Sequence, residues 1–277
     1  MERIEFAPVD GSEARVVGYL HTPIFEMETH REKYPAVVIC PGGGYAWVTR
    51  READPAALPF FARGYNVFIL SYSVKEKAKD FLPLIELSET VRLLRETAEW
   101  RVDPEHIAVC GFSAGGHLAA SLGVMWDDPE LLKRYDHRGG MNRPNAMILC
   151  YPALLANEFA NVITLRWVSG CEPGTPGYEY FSLERHVSEN TCPAFLWHTV
   201  GDERVPVENV LQFVQALQEK KVPYEVHIFT DGPHGVSVCT DEVGYLDDYT
   251  GRWLPLSIDW LDKQFCFHLY SPKNLTL

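Results

Sequence analysis

The chain has 277 residues, of which 46% are apolar and 12% aromatic, so it can fill one sizeable hydrophobic core. Its formal net charge of −13 argues against a nucleic-acid partner, because binding to phosphates needs a basic surface. Seven cysteines, an odd number, do not indicate a disulfide scaffold. No apolar signal region follows Met1, and no apolar stretch is long enough to span a membrane. We therefore expect a cytoplasmic protein without membrane attachment.

The first thirty residues alternate apolar and polar side chains. Ile4 and Phe6 precede a turn at Asp10-Gly11, and Val17 and Tyr19 follow it. This period of two around a turn predicts an antiparallel hairpin.

Short runs that are apolar at nearly every position follow the hairpin. Such runs are typical of strands buried on both faces, as in a parallel sheet. They lie at 36–40, 67–70, 107–110, 146–151, 194–197 and 224–229.

Between these runs, apolar residues recur at steps of three and four, which predicts helices over 84–98, 207–217 and 253–260. The alternation predicts a doubly wound α/β domain: a mostly parallel central sheet, helices on both faces, and the antiparallel hairpin at one edge. Residues 155–190 form a polar, irregular stretch that interrupts this alternation of strands and helices. We expect this excursion to be a lid or pocket wall of a single domain that spans 1–277.

The strongest chemical signal is the motif Gly111-Phe112-Ser113-Ala114-Gly115, which directly follows a predicted strand and precedes an alanine-rich helix. A nucleophilic serine needs a sharp strand-to-helix turn, and the flanking glycines leave room for it. The helix N-terminus then directs free N–H groups towards the reacting oxygen. The motif predicts Ser113 as a nucleophile. The alternative is a glycine-rich turn that only packs or binds phosphate.

A second glycine motif, Pro41-Gly42-Gly43-Gly44-Tyr45, ends another predicted strand. Its backbone N–H groups, from Gly43 or Gly44, would form one side of an oxyanion hole, and the N–H of Ala114 would form the other. A dinucleotide-type phosphate loop is the weaker alternative, because G-x-G-x-x-G is not completed. The position of Tyr45 beside these glycines makes it a candidate substrate-binding residue.

A nucleophilic serine also needs a base and a carboxylate that orients the base. Asp202 comes just after a predicted strand, and His234 lies in a glycine–proline loop beyond the next one. We prefer Asp202 to Glu203 and to Asp231, which shares the loop of His234 and is typical of a turn. The other histidines near these motifs, His117, His198 and His227, lie on predicted helices or strands and are expected to be structural.

With these motifs in the order serine, aspartate, histidine, the chain resembles the α/β-hydrolase superfamily over residues 35–265. More narrowly it resembles the small bacterial esterases grouped with acetyl xylan esterases, carbohydrate acetylesterases and feruloyl-esterase-like proteins. Pro41 stands where hormone-sensitive-lipase-like esterases carry histidine, which favours the carbohydrate-esterase branch. The scattered histidines and the lack of a metal-binding motif indicate neither a metal nor an organic cofactor.

The resemblance implies a serine carboxylesterase that hydrolyses short-chain acyl esters, acetyl above all, of sugars or small alcohols. The expected partner is a small ester such as an acetylated oligosaccharide, and the oligomeric state stays open. One alternative is an amide-cleaving hydrolase of the peptidase or formamidase type. Another is a non-catalytic binding protein of the same fold, which need not have all three residues Ser113, Asp202 and His234.

Overall fold

The computed structural model describes residues 1–24 and 31–267. Strands in these residues are β1 (Glu2–Phe6), β2 (Arg15–Leu20), β3 (Tyr34–Cys40), β4 (Asn66–Ser71), β5 (Val102–Phe112), β6 (Ala146–Cys150), β7 (Ala194–Thr199) and β8 (Tyr224–Phe229). Helices are α1 (Asp54–Arg63), α2 (Leu82–Glu96), α3 (Ala114–Met125), α4 (Pro129–Leu132), α5 (Val162–Ser169), α6 (Pro176–Glu179), α7 (Glu208–Glu219) and α8 (Trp253–Gln264). None of these helices is long and apolar enough to cross a membrane.

The strands form one sheet in the order β1-β2-β4-β3-β5-β6-β7-β8. β2 is antiparallel to both β1 and β4, and every other neighbouring pair is parallel. The predicted fold, a mostly parallel sheet with an antiparallel N-terminal hairpin at its edge, is confirmed. The carboxyl ends of the parallel strands meet at one edge of this sheet, where such folds gather their ligands.

Alternate residues of the central strands pack against two helical layers. On β3, Val38 belongs to the core under α2, α3 and α7, whereas Val37 belongs to the core under α1 and α8. Both side chains are fully buried. The apolar runs arise because helices cover both faces of the sheet.

Two of the differences from the sequence analysis concern β8 and α1. The run at 224–229 was expected to be buried on both faces, but it forms the edge strand β8, whose Ile228 is 39% exposed. The prediction was wrong because the run has a neighbouring strand on one side only. Helix α1 was not predicted, since Pro59 in its interior interrupts the helical pattern.

The segment 155–190 contains α5, α6 and a short 3-10 turn at Leu183–His186. Its start is held to α7 by Asn209, whose Oδ1 accepts the N–H groups of Leu154 and Leu155. Its role as a lid or pocket wall, and the extent of the domain, stay predictions.

Candidate active site

Ser113 lies at a strained turn between β5 and α3, with φ 53° and ψ −116°. Two contacts show why glycine flanks it. A Cβ on Gly111 would lie 2.1 Å from the carbonyl oxygen of Gly115, and a Cβ on Gly115 would lie 2.0 Å from that of Cys40. The glycines let the turn close tightly and bring it against the end of β3.

The structure brings the three predicted polar residues together at the carboxyl edge of the sheet. Ser113 Oγ lies 2.7 Å from His234 Nε2, and His234 Nδ1 lies 2.6 Å from Asp202 Oδ2. Asp202 follows β7, and His234 lies in the loop after β8. In the described part of the chain, neither Glu203 nor Asp231 forms a hydrogen bond with this histidine. This geometry allows His234 Nε2 to take the proton of the Ser113 hydroxyl.

The buried carboxylate of Asp202 is fixed from both of its oxygens. Besides the contact of Oδ2 with His234, Oδ1 accepts the backbone N–H groups of Arg204 and Val205 at 2.9 and 3.0 Å. Burial alone would raise the pKa of Asp202, but the nearby His198 ring and the hydrogen bond with His234 outweigh it and hold the pKa below its usual range. The carboxylate therefore stays ionised opposite the imidazole.

His198 contacts this carboxylate, a role that the sequence analysis missed. Its Nε2 lies 2.8 Å from the carbonyl oxygen of Val205 and 3.4 Å from Asp202 Oδ2. His198 is fully buried, as expected of a structural residue. Its ring also contacts the Asp202 loop and helps to orient it. His198 is on β7 and Asp202 is in the turn after it, so no sequence periodicity indicated this contact.

The loop after β3 reverses direction through three consecutive residues with positive φ: Gly43 at 130°, Gly44 at 65° and Tyr45 at 55°. Within the described residues, no hydrogen bond takes up the backbone N–H of Gly43, Gly44 or Ala114. These are the predicted oxyanion donors, and they remain available for a ligand. Gly43, Gly44, Ser113 and His234 line the same cavity of about 450 Å³.

The other side chains around this cavity are polar, aromatic and aliphatic. Ile163 and Thr164, from α5, form part of its wall together with Asn161. Trp47 also lines it and is 62% exposed. The cavity thus combines the serine with an accessible indole face.

Tyr45 does not line this cavity. Its side chain is fully buried, and its hydroxyl lies 3.1 Å from His117 Nδ1. The other nitrogen of that ring, Nε2, lies 3.1 Å from the carbonyl oxygen of Phe181. Burial lowers the pKa of His117 to about 4, so the ring is neutral and joins the oxyanion loop to the 155–190 segment. Trp47, two residues later, is the aromatic residue at the cavity.

Two family models match adjacent parts of the chain: the BD-FAE family over residues 23–148 and the prolyl oligopeptidase family over residues 151–265. Among curated proteins, endo-1,4-beta-xylanase B of Butyrivibrio fibrisolvens is 36% identical over 214 residues, covering 76% of this chain and 34% of that protein. The acetylxylan esterase of Xylanibacter ruminicola is 27% identical, covering 74% of this chain and 42% of that protein. The chain spans less than half the length of these relatives.

Solved structures match over nearly the whole chain. An acetyl ester-xyloside bifunctional hydrolase from Caldicellulosiruptor lactoaceticus is 32% identical with a TM-score of 0.76, covering 93% of this chain and 90% of that one. An α/β hydrolase from a Medee basin deep-sea metagenome library is 33% identical with a TM-score of 0.78, covering 96% and 98%. A carboxylesterase from Lactobacillus plantarum is 28% identical with a TM-score of 0.80 and the same coverage.

Fold, site geometry and these similarities define an α/β hydrolase, and the chain belongs to that superfamily. Several of these relatives and solved structures are named as esterases, which supports the enzyme class that the resemblance implied, a carboxylic ester hydrolase.

Proposed function

We propose that this protein is a serine esterase that hydrolyses short-chain acyl esters, acetyl above all, of sugars or small alcohols through an acyl-enzyme. One observation carries the proposal. Ser113 Oγ lies 2.7 Å from His234 Nε2 at the wall of a cavity that also exposes the oxyanion glycines. A serine so placed has its base within reach and donors ready for the negative charge that develops.

In the first half of the reaction, His234 takes the proton of Ser113 as Oγ bonds to the ester carbonyl carbon. The oxyanion that forms accepts hydrogen bonds from the N–H of Ala114 and from that of Gly43 or Gly44. Asp202 stabilises the imidazolium. The imidazolium then gives its proton to the leaving alcohol oxygen as the carbon–oxygen bond of the ester breaks, leaving an acyl group on the serine.

In the second half, water occupies the place of the alcohol. His234 takes a proton from the water as its oxygen bonds to the acyl carbon, and the same donors hold the second oxyanion. The bond to Ser113 Oγ breaks, the serine regains a proton from the imidazolium, and the carboxylic acid leaves.

Two observations support a sugar ester as substrate. The relatives include an acetylxylan esterase and an acetyl ester-xyloside hydrolase. The accessible indole of Trp47 lies beside the oxyanion loop, since its Cδ1 is 3.1 Å from where a Cβ on Gly43 would stand. A flat apolar surface at that point suits the face of a sugar ring in the alcohol part of the ester.

The first test is hydrolysis of p-nitrophenyl esters from acetate to octanoate by the wild type and Ser113→Ala. We expect acetate to be turned over fastest and the variant to lose activity by several orders of magnitude. Faster turnover of octanoate would contradict the short-chain proposal. Equal rates for the variant and the wild type would contradict the serine mechanism.

The sugar proposal is tested with Trp47→Ala and, as matched control, Tyr249→Ala, because both side chains are 62% exposed and only the first lines the cavity. We expect Trp47→Ala to raise KM for acetylated xylo-oligosaccharides about tenfold, the loss of one stacking contact of about 1.4 kcal/mol. Its KM for p-nitrophenyl acetate should stay within threefold, and Tyr249→Ala should change neither. An unchanged KM for the sugar ester would remove Trp47 from the substrate site.

A second candidate, amide cleavage, is favoured by the match of residues 151–265 to the prolyl oligopeptidase family. The relatives also include dipeptidyl aminopeptidase B of Saccharomyces cerevisiae, 26% identical over 59% of this chain and 18% of that protein. Turnover of aminoacyl p-nitroanilides that exceeds turnover of p-nitrophenyl acetate would favour this candidate. If a fluorophosphonate fails to label Ser113, a non-catalytic binding protein becomes the better explanation.

A further inference from the structure

A buried carboxylate, Glu52, lies directly behind the oxyanion loop, and its side chain is 1% exposed. Its Oε2 accepts the backbone N–H of Gly42 at 2.7 Å and the hydroxyl of Thr49. Its Oε1 accepts the hydroxyl of Tyr151 at 2.7 Å. All three neighbours donate, and both carboxylate oxygens accept. Arg51 adds a cation, with Nε 3.9 Å from Oε1.

The same carboxylate reaches the loop that carries His234. The Tyr151 hydroxyl, besides donating to Glu52, accepts the backbone N–H of Ser237 at 3.0 Å. The Tyr151 ring packs edge-on against His234, with 5.1 Å between ring centroids. Through one tyrosine, Glu52 is thus connected to a residue three positions beyond the histidine.

The contacts of Glu52 also determine where the oxyanion donors point. The carbonyl oxygen of Gly42 accepts the N–H of Thr49 at 3.0 Å, and the Thr49 side chain donates to Glu52. In a trans peptide the N–H points opposite to the C=O. Because the Gly42 carbonyl points towards Thr49, the N–H of Gly43 in the same peptide bond points to the opposite side of the loop. A Cβ on Gly42 would lie 2.8 Å from Glu52 Oε2 and 3.1 Å from Ser113 Cβ, so only a glycine separates carboxylate and serine.

We propose that Glu52 is a positioning residue that fixes the oxyanion loop and the His234 loop relative to Ser113. The inference rests on the proposed acyl transfer at Ser113. Burying a carboxylate is unfavourable unless hydrogen bonds compensate it, and here the compensating partners belong to the loops of the site. Glu52 borders the cavity of Ser113, but its hydrogen bonds in the described residues go to Gly42, Thr49 and Tyr151 and not to Ser113 or His234. It therefore acts through Gly42 and Tyr151.

If Glu52 only stabilised the fold, replacing another buried, hydrogen-bonded carboxylate should affect activity in the same way. Glu86 provides that control. Glu86 on α2 is fully buried and accepts the backbone N–H and the hydroxyl of Ser73 at 2.8 and 2.6 Å, together with the hydroxyl of Ser12. It does not line the cavity of Ser113. Glu86→Gln therefore measures what the loss of a buried, hydrogen-bonded carboxylate does to folding alone.

The experiment measures kcat, KM and thermal stability for Glu52→Ala, Glu52→Gln, Tyr151→Phe and Glu86→Gln, with p-nitrophenyl acetate as substrate. Inhibition by a trifluoromethyl ketone, which forms a tetrahedral adduct on the serine, is measured beside them. Loss of a correctly placed oxyanion donor costs about 10²–10³ in kcat. We expect Glu52→Ala to lower kcat about 100-fold with KM within threefold, and to weaken the ketone by the same factor.

Glu52→Gln keeps an acceptor for the N–H of Gly42 but places an amide N–H₂ opposite the Tyr151 hydroxyl. We expect a loss of about tenfold in kcat for it, and a similar loss for Tyr151→Phe, since the first alters and the second removes the hydrogen bond that joins Glu52 to the histidine loop. A double variant that combines Glu52→Gln with Tyr151→Phe should lose no more activity than the worse of the two single variants, because both changes affect the same connection. Glu86→Gln should lower the melting temperature and leave kcat within threefold.

Wild-type kcat and ketone affinity in folded Glu52→Ala or Glu52→Gln would overturn the positioning role. So would a loss of kcat in Glu86→Gln that equals theirs. If Glu52→Ala does not fold, Glu52→Gln and Tyr151→Phe decide the question. Failure of the esterase proposal looks different: Ser113→Ala would then keep wild-type activity, and the Glu52 inference would fall with it.

Discussion

Alanine at Gly43 and at Gly44 should have very different effects, although the two glycines are adjacent in the oxyanion loop. At Gly43, with φ 130°, a Cβ would lie 2.0 Å from the carbonyl oxygen and 2.7 Å from the carbonyl carbon of Trp47. Both are backbone atoms and cannot rotate away. At Gly44, with φ 65°, the nearest atoms are on Ile163 and Thr164 at 3.9 Å, an ordinary van der Waals distance.

The contacts set the magnitudes. Relieving the Gly43→Ala collision requires the loop to open by about 1 Å, and a displacement of that size typically costs about 10² in rate. If the N–H of residue 43 leaves its place altogether, the loss reaches about 10³, or about 4 kcal/mol of transition-state stabilisation. Gly44→Ala adds only the strain of a left-handed residue, about 1 kcal/mol, and keeps its N–H in place.

The assay is steady-state hydrolysis of p-nitrophenyl acetate by both variants, with circular dichroism and thermal unfolding to compare their folding. We expect kcat/KM to fall 10²–10³-fold in Gly43→Ala and less than tenfold in Gly44→Ala. The melting temperature of Gly44→Ala should fall by about 2–4 °C. Equal losses in the two variants, or a Gly43→Ala enzyme within threefold of wild type, would refute the reasoning.

Three further predictions follow from the geometry. Asp202→Asn should lower kcat about 10⁴-fold, because the amide no longer holds the histidine in the required tautomer; pre-steady-state rates above a tenth of wild type would contradict this. Although burial alone would lower it, the Asp128 carboxylate, 3.6 Å from the ring, raises the pKa of His186, so the stabilisation by this pair is full below about pH 6.5 and is lost as pH rises through the folded-state value. Thermal unfolding should therefore show His186→Gln destabilised more at pH 6 than at pH 9, and the opposite trend would remove the pair as a stabilising contact. Tyr45→Phe should lower the melting temperature through the lost bond to His117 while leaving KM and acyl preference unchanged; a changed acyl preference would return Tyr45 to the substrate site.

Much of the fold was predictable because its signals are local. A strand covered by helices on both faces must be apolar throughout, and the runs that became β3 to β7 show this directly. The turn around Ser113 was equally readable, since a tight strand-to-helix turn requires glycine at fixed positions. β8 was misread because an apolar run does not indicate how many neighbours its strand has.

Some residues of the site could be predicted from local sequence, and others could not. By itself the sequence determined the prediction of Ser113, Asp202 and His234 as the site, because each follows a predicted strand in a recognisable order. Only the tertiary structure decided that Glu52 lies behind the oxyanion loop, since its partners Gly42 and Tyr151 are 10 and 99 residues away along the chain.

The loop after β3 shows the same division within three residues. Tyr45 and Trp47 are both aromatic and both follow the oxyanion glycines, yet the first is fully buried and the second is 62% exposed at the cavity. Three consecutive positive φ angles reverse the chain there, and no rule of periodicity applies to such a turn. Sequence pattern determines where the chain turns, and the packing around the turn determines which side chain enters the core and which one faces a ligand.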